Sequence, residues 1–130
     1  MIKFLKKETI LTFHQDQLVR YGGKAGIRDE KLLESALAQP EISYGGEYVH
    51  KGLFHMAAAY GFHLCQNHPF YDGNKRTALI AMYLFLFANG YQLVADKKSL
   101  FAIIMDLAKG NVSKDELRDY LMKNSKKRVD

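Results

Sequence analysis

Residues 68–78 have the sequence His-Pro-Phe-Tyr-Asp-Gly-Asn-Lys-Arg-Thr-Ala and separate two strongly apolar stretches, residues 53–65 and 78–88. A polar segment between two apolar helices is costly to hold unless its groups find hydrogen-bond partners. Each apolar stretch is hydrophobic on nearly every face, which predicts two central helices, 52–66 and 74–89, that other elements surround. The polar segment therefore organises both the core and any site beside it.

The second half of this segment suits an anion. Gly73 allows a positive φ or a close approach of the backbone to a ligand. Residues 74–77 begin the following helix, where free N–H groups and the helix dipole favour phosphate. Lys75 and Arg76 add positive charge, and an arginine can hold phosphate oxygens bidentately. Because cations at a helix N-terminus oppose the dipole, their presence favours a bound anion there.

The first half carries a carboxylate and a base. A carboxylate beside bound phosphates is what Mg²⁺ usually takes from a protein, so Asp72 is predicted to be a metal ligand. His68, with an ordinary pKa of about 6.5, is suited to removing a proton from an attacking hydroxyl. Taken singly, His68 could be a structural side chain and Asp72 a turn or cap residue. Phe70 is predicted to insert into the core and anchor the segment.

The rest of the chain predicts further helices around the central pair. Apolar stripes with caps and stops indicate helices over residues 7–21, from N-cap Asp29 to the stop at Pro40, over 96–109, and from N-cap Ser113 onward. Residues 41–51, with paired glycines between tyrosines, predict a short β-hairpin or flap. Residues 91–94 are predicted to be extended, and the basic tail to fray. The predicted fold class is all-α: one domain, 1–130, of about six helices with a short hairpin.

Composition narrows the functional classes. The chain has 130 residues, of which 48% are hydrophobic and 25% charged, as in a small globular domain. Its net charge of +5 and pI near 9.3 suit phosphate-bearing partners. Much of the positive charge lies near the ends, and none forms a recognition helix with base-reading residues, so direct nucleic-acid binding is not expected. The single Cys65 excludes an intramolecular disulfide and favours a reducing compartment.

Membrane and metal-hydrolase functions are also disfavoured. The N-terminus has no signal-type segment, and the apolar run 78–88 is short of the roughly 20 residues that a membrane span needs, so a cytoplasmic protein is expected. His63, His68 and Asp72 match no zinc-ligand spacing. Three other histidines are predicted to lie on the surface or in the flap: His14, His50 and His55.

The central segment resembles the signature of the Fic/Doc superfamily, His-x-Phe-x-Asp/Glu-Gly-Asn-Gly-Arg-x-x-Arg. The matching positions are His68, Phe70, Asp72, Gly73, Asn74 and Arg76. Lys75 stands where the nucleotidyl-transferring branch has glycine, and Leu79 where that branch has its second arginine. In both departures the segment is similar to the Doc branch, the "death on curing" toxins. The resemblance extends over about residues 10–94 and includes residues 20–23, 26–29 and 85–90.

This resemblance implies a Fic fold with a flap over the active loop. It also implies His68 as the base, Asp72 as the Mg²⁺ ligand, and a phosphate clamp made of Gly73, Asn74, Lys75 and Arg76. In the Doc branch the γ-phosphate of ATP is transferred to a threonine of elongation factor Tu, which blocks translation. AMP transfer is the alternative, and it is disfavoured because Leu79 removes one phosphate contact. A catalytically silent binding module is the other alternative, and the joint presence of base, acid and arginine disfavours it.

Regulation by a separate antitoxin is a further expectation. Self-inhibited Fic proteins resemble one another in a helical Ser/Thr-x-x-x-Glu-Gly/Asn segment. The nearest match here, residues 43–48, lacks the final residue, and its paired glycines disfavour a helix. We therefore expect inhibition by an antitoxin peptide laid into an apolar groove.

Overall fold

The computed structural model describes residues 1–129. Within them are six helices, one 3₁₀ turn at Gln39–Glu41 and four short strands. The helices are α1 (Lys7–Tyr21), α2 (Glu30–Ala38), α3 (Leu53–Asn67), α4 (Asn74–Ala88), α5 (Lys97–Ala108) and α6 (Lys114–Lys123). The strands are β1 (Ser43–Tyr44), β2 (Glu47–Tyr48), β3 (Tyr91–Leu93) and β4 (Ser125–Lys127). The all-α prediction, with about six helices and a hairpin, is confirmed.

Helices α3 and α4 form the centre of the bundle, as their apolar sequences predict. Residues 56–61 of α3 are all buried, and α4 contributes buried positions such as Ala81 and Phe85. Gly61 lets the two helices approach closely, since a Cβ there would overlap the side chain of Met82. The other helices pack around this pair: α1 against α4, α2 and α6 against α3, and α5 against both.

The caps that sequence predicted are present. The Asp29 carboxylate accepts a hydrogen bond from the Leu32 N–H at 3.0 Å and begins α2. Ser113 and Glu116 form a reciprocal capping box at the start of α6. Such caps depend on residues within one turn, which is why the sequence alone indicates them.

The predicted hairpin over 41–51 is also present. Strands β1 and β2 pair antiparallel, with Ser43 opposite Tyr48. Gly45 and Gly46 form the turn, both with positive φ, as the twist of a two-residue hairpin loop requires. All four strand residues are exposed, so the hairpin projects from the helical body.

Two expectations about the remaining chain were wrong. The basic tail does not fray at once, because β4 pairs antiparallel with β3, with Leu93 opposite Ser125. His14 is neither a surface nor a flap residue, and His50 lies in the predicted flap segment 41–51 but is not at the surface, since each is only 4% exposed. His14 lies on the inward face of α1 between Ile10 and Leu18, and His50 lies against α6, where its Nε2 is 3.0 Å from the Lys114 Nζ. Within residues 1–129, no helix combines the length and apolar character needed to cross a bilayer.

Candidate active site

Residues 68–73, called the active loop below, join the end of α3 to the start of α4. His68 ends α3 in the left-handed conformation, with φ 48° and ψ 55°, and is the only non-glycine with positive φ within residues 1–129. Gly73 precedes α4 in the same region, with φ 83° and ψ 13°. A left-handed conformation costs a non-glycine residue about 1–2 kcal/mol, so neighbouring contacts must hold His68 there.

The segment before α2 supplies those contacts. Arg28 donates from Nε to the His68 carbonyl at 2.7 Å and from Nη2 to the Asn67 carbonyl at 2.9 Å. The backbone N–H groups of Arg28 and Asp29 both donate to the Pro69 carbonyl, at 2.7 and 3.1 Å. These bonds satisfy carbonyls at the end of α3, which would otherwise lack partners, and they fix the backbone that carries the His68 side chain.

Asn74 closes the active loop from the other side. Its Oδ1 accepts from the Phe70 N–H at 3.0 Å, and its Nδ2 donates to the Phe70 carbonyl at 2.9 Å. The same Nδ2 is 3.2 Å from the Nδ1 of His68. Because the two bonds to Phe70 define the amide orientation, Nδ1 of His68 is the acceptor, and the neutral ring carries its hydrogen on Nε2. Phe70 itself is fully buried, as predicted for an anchor.

The beginning of α4 presents free backbone donors. The first helical bond runs from the Thr77 N–H to the Gly73 carbonyl at 3.0 Å, and the N–H groups of Asn74, Lys75 and Arg76 receive no partner from residues 1–129. The Arg76 guanidinium lies 4.4 Å from the centre of the Tyr21 ring, so the ring supports it beside these donors. The arrangement suits an anion.

A cleft of about 670 Å³ opens at these donors. Its polar wall comprises residues 72–76 together with Tyr21, Gly22 and Gly23 at the end of α1. Its apolar wall comes from α4 and α5 and includes Leu79, Ile80, Leu100, Phe101, Ile104 and Met105. The cleft therefore joins an anion-binding end to an apolar end.

Asp72 lies at the mouth of this cleft and is exposed. Its Oδ2 accepts from the Lys24 N–H at 2.5 Å, and its backbone carbonyl accepts from the Nε2 of His14 at 2.8 Å. Its Oδ1 has no partner within residues 1–129. One free carboxylate oxygen fits Mg²⁺, which takes few protein ligands when phosphates supply the others. In residues 1–129 no group of three or more His, Cys, Asp or Glu could hold a metal ion alone.

The structure thus brings His68, Asp72 and residues 73–76 together around one loop. It places the Asn74 side chain inside that loop, while the backbone N–H of Asn74 remains available. Sequence reasoning missed the residues that hold the loop in place, His14 and Arg28. A signal for His14 existed, because it stands four residues from both Ile10 and Leu18 on the apolar face of α1.

The class of protein follows from comparison with known sequences. The sequence profile of the Fic/DOC family matches residues 4–86, and the chain belongs to this family. A protein named Toxin Doc from Mycolicibacterium smegmatis is 40% identical over 96 residues, which cover 74% of this chain and 72% of that protein. Protein kinase doc of Escherichia phage P1 is 31% identical over 120 residues, which cover 92% of this chain and 94% of that protein. Within the family, the chain therefore belongs to the Doc branch.

Proposed function

We propose that this chain is a Doc-like toxin that transfers the γ-phosphate of ATP to a hydroxyl group of a protein, acting in the cytoplasm. The observation that carries the proposal is the row of unpartnered N–H groups at the start of α4, beside the Arg76 guanidinium and directly after the loop that contains His68. The relative from phage P1 is named as a protein kinase, which supports phosphoryl transfer. By resemblance, the target is elongation factor Tu, and its modification would block translation.

The residues have distinct roles in this proposal. The backbone of Gly73, Asn74, Lys75 and Arg76, with the two cationic side chains, would hold the phosphates of ATP. Asp72 would hold Mg²⁺ through its free oxygen, and the bound ion would supply charge neutralisation at the phosphate oxygens. The positions of these groups at one end of the cleft are consistent with such a clamp.

His68 would act as general base on the acceptor hydroxyl. The proton would pass to Nε2 as the hydroxyl oxygen bonds to the γ-phosphorus and the bond to the β-phosphate oxygen breaks, releasing ADP. This step requires the ring hydrogen to reside on Nδ1, so the contact with the Asn74 Nδ2 must be given up. Because His68 is exposed, its ring has room to turn.

Transfer of AMP is the alternative reaction, and one observation disfavours it. Leu79 lines the cleft one turn beyond Lys75, so an apolar side chain occupies the position of the second arginine in the nucleotidyl-transferring branch. The α-phosphate would then lack one cationic contact.

Labelled ATP distinguishes the two reactions. The purified chain would be incubated with elongation factor Tu and ATP labelled in either the γ- or the α-phosphate. Label from the γ position alone supports the proposal, whereas label from the α position supports AMP transfer. Label from neither position, with unchanged growth on expression, would favour a binding module without catalysis.

Two further surfaces have roles in this proposal. The β1–β2 hairpin leaves strand edges exposed, and a segment of the target could pair with an edge through main-chain hydrogen bonds. The apolar wall of the cleft, on α4 and α5, is where an antitoxin peptide would dock. Growth arrest that a co-expressed antitoxin relieves would support the toxin assignment.

A further inference from the structure

One buried imidazole contacts the active loop at three residues. His14 of α1 stacks on Phe70, with ring centres 3.7 Å apart and an angle of 12° between the rings. Its Nε2 donates to the Asp72 carbonyl at 2.8 Å. Its ring also packs on Gly73, where an added Cβ would lie 3.4 Å from the His14 Cδ2. The ring is 4% exposed, so its orientation is fixed by packing.

The hydrogen bond to Asp72 determines how the next peptide group is oriented. In a trans peptide the C=O and N–H point in opposite directions. Because the Asp72 carbonyl points at the His14 ring, the Gly73 N–H points away from that ring, and it has no partner within residues 1–129. Gly73 is left-handed and Asn74 is helical, a pair of conformations that directs successive N–H groups into one anion-binding concavity.

We propose that His14 is a positioning residue that locks the Asp72–Gly73 peptide, so that the Gly73 N–H joins those of Asn74 and Lys75 on a bound phosphate. The inference rests on the proposed function, because it concerns the same phosphate site. Without the His14 donor, the Asp72 carbonyl loses its partner and this peptide is free to rotate. A rotated peptide would present a carbonyl oxygen, which repels phosphate, where the N–H had been.

Two variants separate the hydrogen bond from the packing. His14→Phe keeps a ring to stack on Phe70 but has no donor. His14→Gln loses the stack but keeps an N–H donor at a similar distance along the side chain. If His14 only fills the core, His14→Phe is the milder change; if it locks the peptide, His14→Gln is the milder change.

The test is titration of the full chain with inorganic phosphate, followed by backbone amide NMR, with melting temperatures measured in parallel. In the wild type we expect the amide signal of Gly73 to shift together with those of Asn74 and Lys75. His14→Phe should weaken phosphate binding about tenfold, the effect of one hydrogen bond to a charged group, and should lose the Gly73 shift. His14→Gln should stay within about threefold of the wild type, on the same scale.

The possible failures are distinguishable. If the amide signals of residues 73–76 in the wild type shift with neither phosphate nor ATP, the proposed function itself would be contradicted. Shifts at residues 74–76 without one at Gly73 would overturn the positioning role alone, and this result needs no variant to fold. Phosphate binding by His14→Phe that equals the wild type, or a rank order in which His14→Gln binds more weakly than His14→Phe, would also overturn it.

Discussion

The active loop and the histidines beside α6 both adjoin or belong to helix α3, but their hydrogen bonding differs. Where the loop meets α4, the buried Asn74 amide has partners for both its oxygen and its nitrogen, and the residues with unpartnered backbone donors line the cleft. The second region, called the histidine cluster here, consists of His50, His55 and His63 around Lys114 of α6. There, the buried Nε2 of His63 has no hydrogen-bond partner within residues 1–129.

The charge environments differ as well. Burial lowers the pKa of His50 to about 4, with contributions from Lys114 and His55. Burial likewise lowers the pKa of His63 to about 4, again with Lys114 and then His50 contributing. His55 also has a lowered pKa, mainly through burial, although Asp115 of α6 partly offsets the nearby Arg118. The three histidines are therefore neutral at neutral pH, which lets them pack between helices. The two regions therefore differ in which polar groups lack partners: backbone donors at the start of α4, and a buried ring nitrogen in the cluster.

The largest expected effect tests the loop. His68→Ala should lower phosphoryl transfer by about 10²–10⁴-fold and abolish growth arrest, because the proposed proton acceptor is removed. The melting temperature should remain close to that of the wild type, since the His68 side chain is exposed. Label transfer from γ-labelled ATP measures the first effect, and His55→Ala is the matched control outside the loop. Growth arrest by His68→Ala would remove His68 from the mechanism.

A smaller effect, the pH dependence of the free energy of unfolding, tests the histidine cluster. His50 and His63 have folded pKa values of about 4, below the ordinary 6.5, so the unfolded chain binds protons first as the pH falls. Their neutral packing is fully effective above about pH 6.5 and is lost progressively as the pH falls toward 4. We expect a loss of about 2 kcal/mol across this window, allowing for solvent screening.

Urea unfolding at several pH values measures this loss of free energy. The matched variant is His63→Leu, which removes one titrating group and should make the stability less dependent on pH. A free energy of unfolding that stays constant from pH 6.5 to 4 in the wild type would show that the cluster does not titrate as its burial implies.

The smallest effect concerns the same variant at neutral pH. His63→Leu should raise the free energy of unfolding by about 0.5–1 kcal/mol, because it removes a buried nitrogen that lacks a partner. Phosphoryl transfer should not change, since His63 does not line the cleft. Reduced transfer with normal stability would mean that the two regions are coupled, and the contrast drawn between them would be wrong.

Much of the local structure could be predicted from the sequence. Asp29 and Ser113 identify two helix starts because a cap is satisfied within three residues. The glycine pair between the tyrosines identifies the hairpin. The motif from His68 to Arg76 predicts a phosphate site, and this prediction is possible because its residues are neighbours in the chain.

The burial of His14 and the pairing of β4 were not predicted. A histidine on an apolar helix face becomes a core residue only if another element offers an acceptor. That acceptor, the Asp72 carbonyl, is 58 residues away. Similarly, β4 is ordered by β3, and neither strand's sequence specifies the other.

The sequence by itself determined the helices, two of their caps, the hairpin and the order of histidine, carboxylate, glycine and cations from His68 to Arg76. Each of these depends on interactions within about four residues, so each can be predicted from the order of residues in the chain. The tertiary structure decided that Arg28 holds the His68 carbonyl, that His14 holds the Asp72 carbonyl, and that the cleft opens where α1, α4 and α5 meet. These contacts join residues that only packing brings together, and they determine whether the motif can present its donors to a phosphate.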